Sequence, residues 1–304
     1  MVRVTRTILP RVSVPRSVGI PPGVSPVTIG IERGTVSALA VGDPVAAAHR
    51  VLLVPGFTGS KEDFLALLPL LAEAGVHAVA IDQLGQYQSR HGQEGPEAWG
   101  TPESTITALA ADLVQIANQE WPEGPRPHLV GHSMGGLVSR RAVIAAPEAF
   151  ASLTMLSSGP AAVPAQQRPQ LETLRSVLPH AGLDEIWDLK RRLDATAGQP
   201  EPPAEIMEFL RTRWLANSPH ALSAKAGVLL QEPDLTDQLK AKGVPLYVLY
   251  GSDDDVWSPA EQAEMAARLG AGYRALPGAG HSPSVDAPKA TTAALLASWG
   301  AAAS

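Results

Sequence analysis

An α/β fold is predicted, with a mostly parallel eight-stranded sheet flanked by helices on both faces and a late helical insertion. Three observations predict it. Short apolar runs alternate with helix-length amphipathic segments from about residue 50 to residue 156, and such alternation implies parallel strands joined by crossover helices. Arg50-Val51-Leu52-Leu53-Val54 is a near-continuous apolar run, the mark of a strand buried on both faces. From about Ala161 to Lys242 the strand pattern lapses into helical spacing, and it resumes at Val244.

Taken in order, the first 25 residues hold four prolines and alternate Val with Arg or Ser, as an extended arm or edge strand does. Val27–Ile31 and Val36–Val41, with Arg33-Gly34 between them, predict a hairpin. The strand at Arg50–Val54 ends in Pro55-Gly56-Phe57-Thr58-Gly59-Ser60, and Phe64, Leu67, Leu68 and Leu71 predict a helix from Glu62 to Ala74. Val76–Ile81 is the next strand; Asp82 and the irregular Gln83–Arg90 follow it, then a Gly/Pro-rich loop to Pro102 and a helix over Glu103–Asn118. Strands at Pro127–Gly131 and Ser152–Leu156 complete this run. The helical stretch that follows is interrupted by Pro179, Pro202, Pro203, Pro219 and Pro233. An insertion of this size between two strands reads as a cap over the strand ends, so residues 1–160 and 243–304 form the expected core and 161–242 the expected cap. A strand at Val244–Tyr250, a helix at Pro259–Leu269, a strand at Tyr273–Leu276 and a helix at Pro288–Trp299 close the chain. In such sheets the site lies at the C-terminal strand ends.

Composition narrows the function. The 304 residues are 45% hydrophobic and 18% charged, enough for a sizeable core. A net charge of −6 with scattered basic residues offers no patch for nucleic acid or anionic lipid. The absence of cysteine removes disulfides, thiolate metal sites and a cysteine nucleophile. The basic start lacks the apolar run of a signal peptide, and no run approaches a membrane span. The expectation is a cytoplasmic protein acting on a small molecule, without cofactor or metal; oligomeric state has no sequence signal. His128 and His132 are four apart, a metal spacing on a helix, but they straddle a strand and its turn and read as structural.

The chemistry centres on Leu129-Val130-Gly131-His132-Ser133-Met134-Gly135-Gly136-Leu137. This order, strand then small-residue turn then helix, is that of a nucleophile elbow, in which flanking glycines let strand and helix approach and force Ser133 outward. An alcohol needs a base, and the base an orienting carboxylate. His281 follows the last predicted strand between Gly280 and Ser282, and the acid must come from Asp253, Asp254 or Asp255, after the preceding strand.

Together these segments resemble the α/β-hydrolase superfamily over residues 27–299. The resemblance implies Asp254 as the acid, three residues after Gly251. It also implies an oxyanion hole formed by the backbone N–H groups of Phe57 and Met134. Two departures stand out. Pro55 occupies a position where many relatives carry the histidine that supports this loop, and Gln86-Tyr87-Gln88 replaces a segment that is often Gly-His-Gly, which would alter the pocket rim. Trp187, Phe209, Trp214 and Trp257 are candidates for lining an acyl pocket. The reaction expected is hydrolysis of a carboxylic ester, or a related acyl or lactone bond, through Ser133, His281 and Asp254. The alternatives are C–C bond hydrolysis or lyase chemistry on the same residues, with cap arginines such as Arg211 and Arg213 gripping carboxylates; an aminopeptidase; and a slow-turnover ligand-binding receptor.

Overall fold

The computed structural model describes residues 13–93, 95–196, 198 and 200–300. Strand β1 (Ser25–Ile31) and strand β2 (Gly34–Val41) form the expected antiparallel hairpin. The parallel strands are β3 (His49–Val54), β4 (Val76–Ile81), β6 (His128–His132), β7 (Ser152–Leu156), β8 (Leu246–Gly251) and β9 (Gly272–Leu276). Eight strands run in the order β1-β2-β4-β3-β6-β7-β8-β9, and the two-residue β5 (Arg90–His91) pairs with β2 off that path. Strand periodicity divides the core between the two faces. Leu52, Val54, Val79, Leu129, Met155 and Val248 face one core; Val51, Leu53, Ala78, Val130, Leu156 and Leu249 face the other.

Helices α1 (Leu68–Glu73) and α11 (Pro288–Trp299) cover the second face, while α2 (Pro102–Glu120), α3 (Met134–Ala145) and α9 (Pro259–Leu269) cover the first. Helix α10 (Pro283–Asp286) is a single turn before α11. The helix expected over 62–74 is divided into a 3-10 turn at Lys61–Phe64 and α1. Ser60 and Asp63 cap each other's backbone in the first piece, and Pro69, lacking an N–H, belongs in the first turn of the second. Of the expected N-terminal arm, residues 1–12 lie outside the described residues, and 13–24 form no strand. The arm nevertheless has fixed partners: Ser13 Oγ lies 2.7 Å from Ser282 Oγ, and Arg16 donates to the carbonyl of Asp286.

Between β7 and β8 run α4 (Arg168–Val177), α5 (Leu183–Thr196), α6 (Ala204–Leu215), α7 (Pro219–Gln231) and α8 (Thr236–Lys240). Helix α7 packs on α2 and α4, α5 on α6, and α8 on α9. Arg140 of α3 gathers both ends of the segment, donating to the carbonyls of Pro160 and Pro233 and to Glu232 Oε1 at 2.8 Å. Among the described residues no helix is long and apolar enough to cross a membrane.

Candidate active site

Ser133 sits between β6 and α3 with φ 55° and ψ −122°, a conformation disfavoured for a residue with a side chain. Close packing enforces it. A Cβ on Gly131 would stand 2.4 Å from the Gly135 carbonyl oxygen, and one on Gly135 would stand 2.5 Å from the oxygens of Val54 and Pro55. Only glycine permits this approach of helix to strands, and the serine side chain is left at the N-terminal end of α3.

Two loops bring the predicted base and acid to it. The backbone N–H of Ser252 donates to Leu276, that of Asp253 to Ala279, and that of Gly278 to Ser252 Oγ, all at 2.9 Å. A Cβ on Gly251 would stand 2.1 Å from the Gly280 oxygen, so the loops touch through a glycine. In this arrangement His281 Nδ1 lies 2.9 Å from Asp254 Oδ1, and His281 Nε2 lies 3.0 Å from Ser133 Oγ. A carboxylate only accepts, so Nδ1–H donates to Asp254 and Nε2 is left as acceptor for the Ser133 hydroxyl. Asp254 also accepts from the Val256 N–H at 3.0 Å and from Gln262 Nε2 at 2.9 Å. Burial pushes its carboxyl up, but the bonds from His281, Val256 and Gln262 outweigh burial and hold it below the usual carboxylate range. Asp253, by contrast, accepts from Ser252 Oγ at its own edge. The family resemblance pointed to Asp254, whereas Gln262, one turn into α9, carries no such signal.

Phe57 lies in the loop after β3, and Met134 directly follows Ser133 at the first position of α3. Anchoring of the Phe57 loop does not need the missing histidine. Gln83 Nε2 donates to the Pro55 carbonyl at 2.9 Å, and Gln86 Nε2 donates to those of Gly56 and Phe57, both at 2.8 Å. Gln86 Oε1 in turn accepts from the Gln83 N–H at 3.0 Å. Gln86, expected at the pocket rim, is therefore buried beneath the loop.

His132 and His128 point to opposite ends of β6. His132 Nε2 donates to the backbone carbonyl of His281 at 2.7 Å, and burial followed by the neighbouring His281 pushes its pKa down to about 4. His128 stacks on Trp299 at 4.5 Å, with Nδ1 2.7 Å from Ser152 Oγ and Nε2 3.1 Å from His49 Nδ1. They form no metal pair.

The four candidate pocket aromatics have different surroundings. Trp257 is buried 6.2 Å, centroid to centroid, from His281. Phe209 meets Tyr87 edge-on at 5.8 Å. Trp187 lies in the core, and Trp214 donates to the Leu183 carbonyl at 2.7 Å, pinning α6 to α5. Arg213 is buried and donates to Asp63 Oδ1 at 2.8 Å, to Ser60 Oγ at 3.2 Å and to the Ser13 carbonyl at 2.7 Å.

Fold and site define a class, and sequence comparison agrees: the profile of the alpha/beta hydrolase family matches residues 51–295. The chain belongs to that family. It is similar to the dihydrolipoyllysine-residue acetyltransferase component of the acetoin cleaving system of Cupriavidus necator, 29% identical over 255 residues, which cover 79% of this chain and 60% of that protein. The chain thus spans less than two thirds of that relative. It is 26% identical over 239 residues to the pimeloyl-acyl-carrier-protein methyl ester esterase of Nitrosomonas europaea, covering 76% of this chain and 93% of the esterase. A carboxylesterase structure from Nitrososphaera gargenis has a TM-score of 0.71 at 19% identity, covering 90% of this chain and 98% of that one, a likeness of fold.

Proposed function

We propose that the protein hydrolyses a carboxylic ester, or a related acyl or lactone bond, of a small molecule through an acyl-enzyme on Ser133. The observation that carries this reading is the continuous relay from Ser133 Oγ through His281 to Asp254, at 3.0 and 2.9 Å. Ser133 Oγ attacks the carbonyl carbon as its proton passes to His281 Nε2. Asp254, held ionised, stabilises the imidazolium. The tetrahedral oxyanion is held by the N–H groups of Phe57 and Met134, each contributing roughly 2.7–4 kcal/mol. His281 gives its proton to the departing alkoxide, and water, deprotonated by the same nitrogen, releases the acid. The methyl ester esterase relative supports an ester as the bond broken. Lyase chemistry that grips a carboxylate finds little support in Arg213, which is buried and charge-paired with Asp63.

We read residues 161–242 as a cap on this site, a boundary supported by the shared anchorage of its ends at Arg140. The test of the activity is labelling by a fluorophosphonate together with turnover of p-nitrophenyl esters of increasing acyl length. Wild-type protein should label and turn over, and Ser133→Ala should do neither. Wild-type protein that takes no label and cleaves no ester defeats the reading, whereas labelling without turnover favours a ligand-binding receptor.

A further inference from the structure

The pair Gln83 and Gln86 occupies the space beneath the loop that carries the proposed oxyanion donor, and its geometry bears directly on where that donor points. In a trans peptide the C=O and the following N–H point in opposite directions. The carbonyl of Gly56 is held by Gln86 Nε2 at 2.8 Å and by the Gly59 N–H at 3.3 Å. The direction of the Phe57 N–H is fixed by the same contacts, because it belongs to the same peptide plane. That plane lies against the nucleophile: a Cβ on Gly56 would stand 3.1 Å from Ser133 Cβ and 3.5 Å from Ser133 Oγ. Gln86 grips the next plane as well, through the Phe57 carbonyl at 2.8 Å. Gln83 grips the preceding one through the Pro55 carbonyl at 2.9 Å. Both glutamines are nearly fully buried, at 3% and 1% exposure, and each amide is oriented by its contacts, since only the NH2 side can donate to a carbonyl.

We propose that Gln86, backed by Gln83, is the positioning residue of the oxyanion hole, orienting the Phe57 N–H toward the carbonyl oxygen of a substrate attached to Ser133. The role rests on the acyl-transfer reading above. It also accounts for Pro55, since three consecutive peptide planes are held from below and no side chain at position 55 is needed to support them. Gln86 never touches substrate; its effect is exerted on the rate of the chemical step, through the alignment of one donor.

Gln86→Met preserves side-chain length and removes the donor. With rates normalised to fluorophosphonate-titrated sites, kcat on p-nitrophenyl acetate should fall about 10- to 100-fold, with KM within about threefold of wild type. Affinity for a trifluoromethyl ketone, which forms a tetrahedral adduct on serine, should fall by a similar factor, and the acid limb of the pH profile should not move. Gln86→Glu provides a second readout that does not depend on Gln86→Met folding. Its carboxylate repels the carbonyls at high pH and regains an O–H donor when protonated, so its kcat/KM relative to wild type should rise as pH is lowered. Unchanged kcat per titrated site in Gln86→Met, or a Gln86→Glu ratio flat with pH, overturns the role while leaving the hydrolase reading in place. Wild-type protein that neither labels nor turns over removes the hydrolase reading, and this role with it.

Discussion

Histidines stand at both ends of β6, and the two ends treat the imidazole in opposite ways. At the C-terminal end His281 meets Asp254, a buried carboxylate that three donors orient: His281 Nδ1–H, the Val256 N–H and Gln262 Nε2. At the N-terminal end His128 meets a second imidazole, a serine hydroxyl and a tryptophan face. Burial, followed by the charge of His49, pushes the His128 pKa down to about 4. Burial and a neighbouring imidazole thus disfavour the charged form of His128. At His281 the carboxylate of Asp254 accepts from Nδ1–H, which fixes the tautomer and turns Nε2 toward Ser133.

Removing that carboxylate's charge should have the largest effect. Asp254→Asn keeps the shape but offers His281 the wrong partner and tautomer, and kcat should fall by about 10⁴. A fall smaller than about tenfold, measured as kcat on an ester that the wild type cleaves, would make the acid dispensable. A smaller effect is expected from His132→Phe, which removes the donor to the His281 carbonyl. Loosening that loop should lower kcat about tenfold while leaving fluorophosphonate stoichiometry intact. The smallest effect on activity belongs to the opposite end. His128→Phe should leave kcat unchanged and flatten the pH dependence of stability. The folded pKa near 4 lies below the ordinary value of 6.5, so the unfolded chain binds more protons between those values and stability falls as pH drops through that window. The wild type should lose on the order of 3 kcal/mol from this group, and chemical denaturation of His128→Phe at pH 7 and pH 4.5 should show a smaller difference between the two.

The contrast also explains which parts of the molecule were legible from sequence. The elbow depends on Gly131 and Gly135 at fixed short spacing, because that turn tolerates no Cβ, and this requirement is written locally; the bare sequence left Asp253, Asp254 and Asp255 open, and the family resemblance singled out Asp254. Strand alternation and the order of elements are local for the same reason. The break at Lys61–Phe64 was hidden because the apolar spacing of Phe64, Leu67, Leu68 and Leu71 suits a helix, while the Ser60–Asp63 cap and Pro69 divide it. Strand β5 is two residues long and owes its existence to pairing with β2. Gln83, Gln86 and His132 act through contacts with residues 28, 30, 29 and 149 positions away, and no periodicity announces a side chain that serves a distant carbonyl. Arg213, which the sequence offered to the lyase alternative but placed more readily on a solvated face, is buried against Asp63 for the same reason: its partner lies on another element. The paired oddities at Pro55 and Gln86 were the one available clue that the loop is supported differently.

The anchorage at Arg140 has a consequence for how this chain can vary. Its guanidinium holds the carbonyls of Pro160 and Pro233, and the Ala162 N–H donates to the Glu232 carbonyl at 2.7 Å, so the intervening polypeptide leaves and rejoins the sheet through one gate. A segment with its ends already together imposes little strain on the scaffold whatever its length, because the cost of closing a loop grows only slowly with the number of residues in it. The ends of the region between these prolines are thus fixed together independently of its length, while its interior is tied to the core through α7 on α2 and through Arg213 on Asp63.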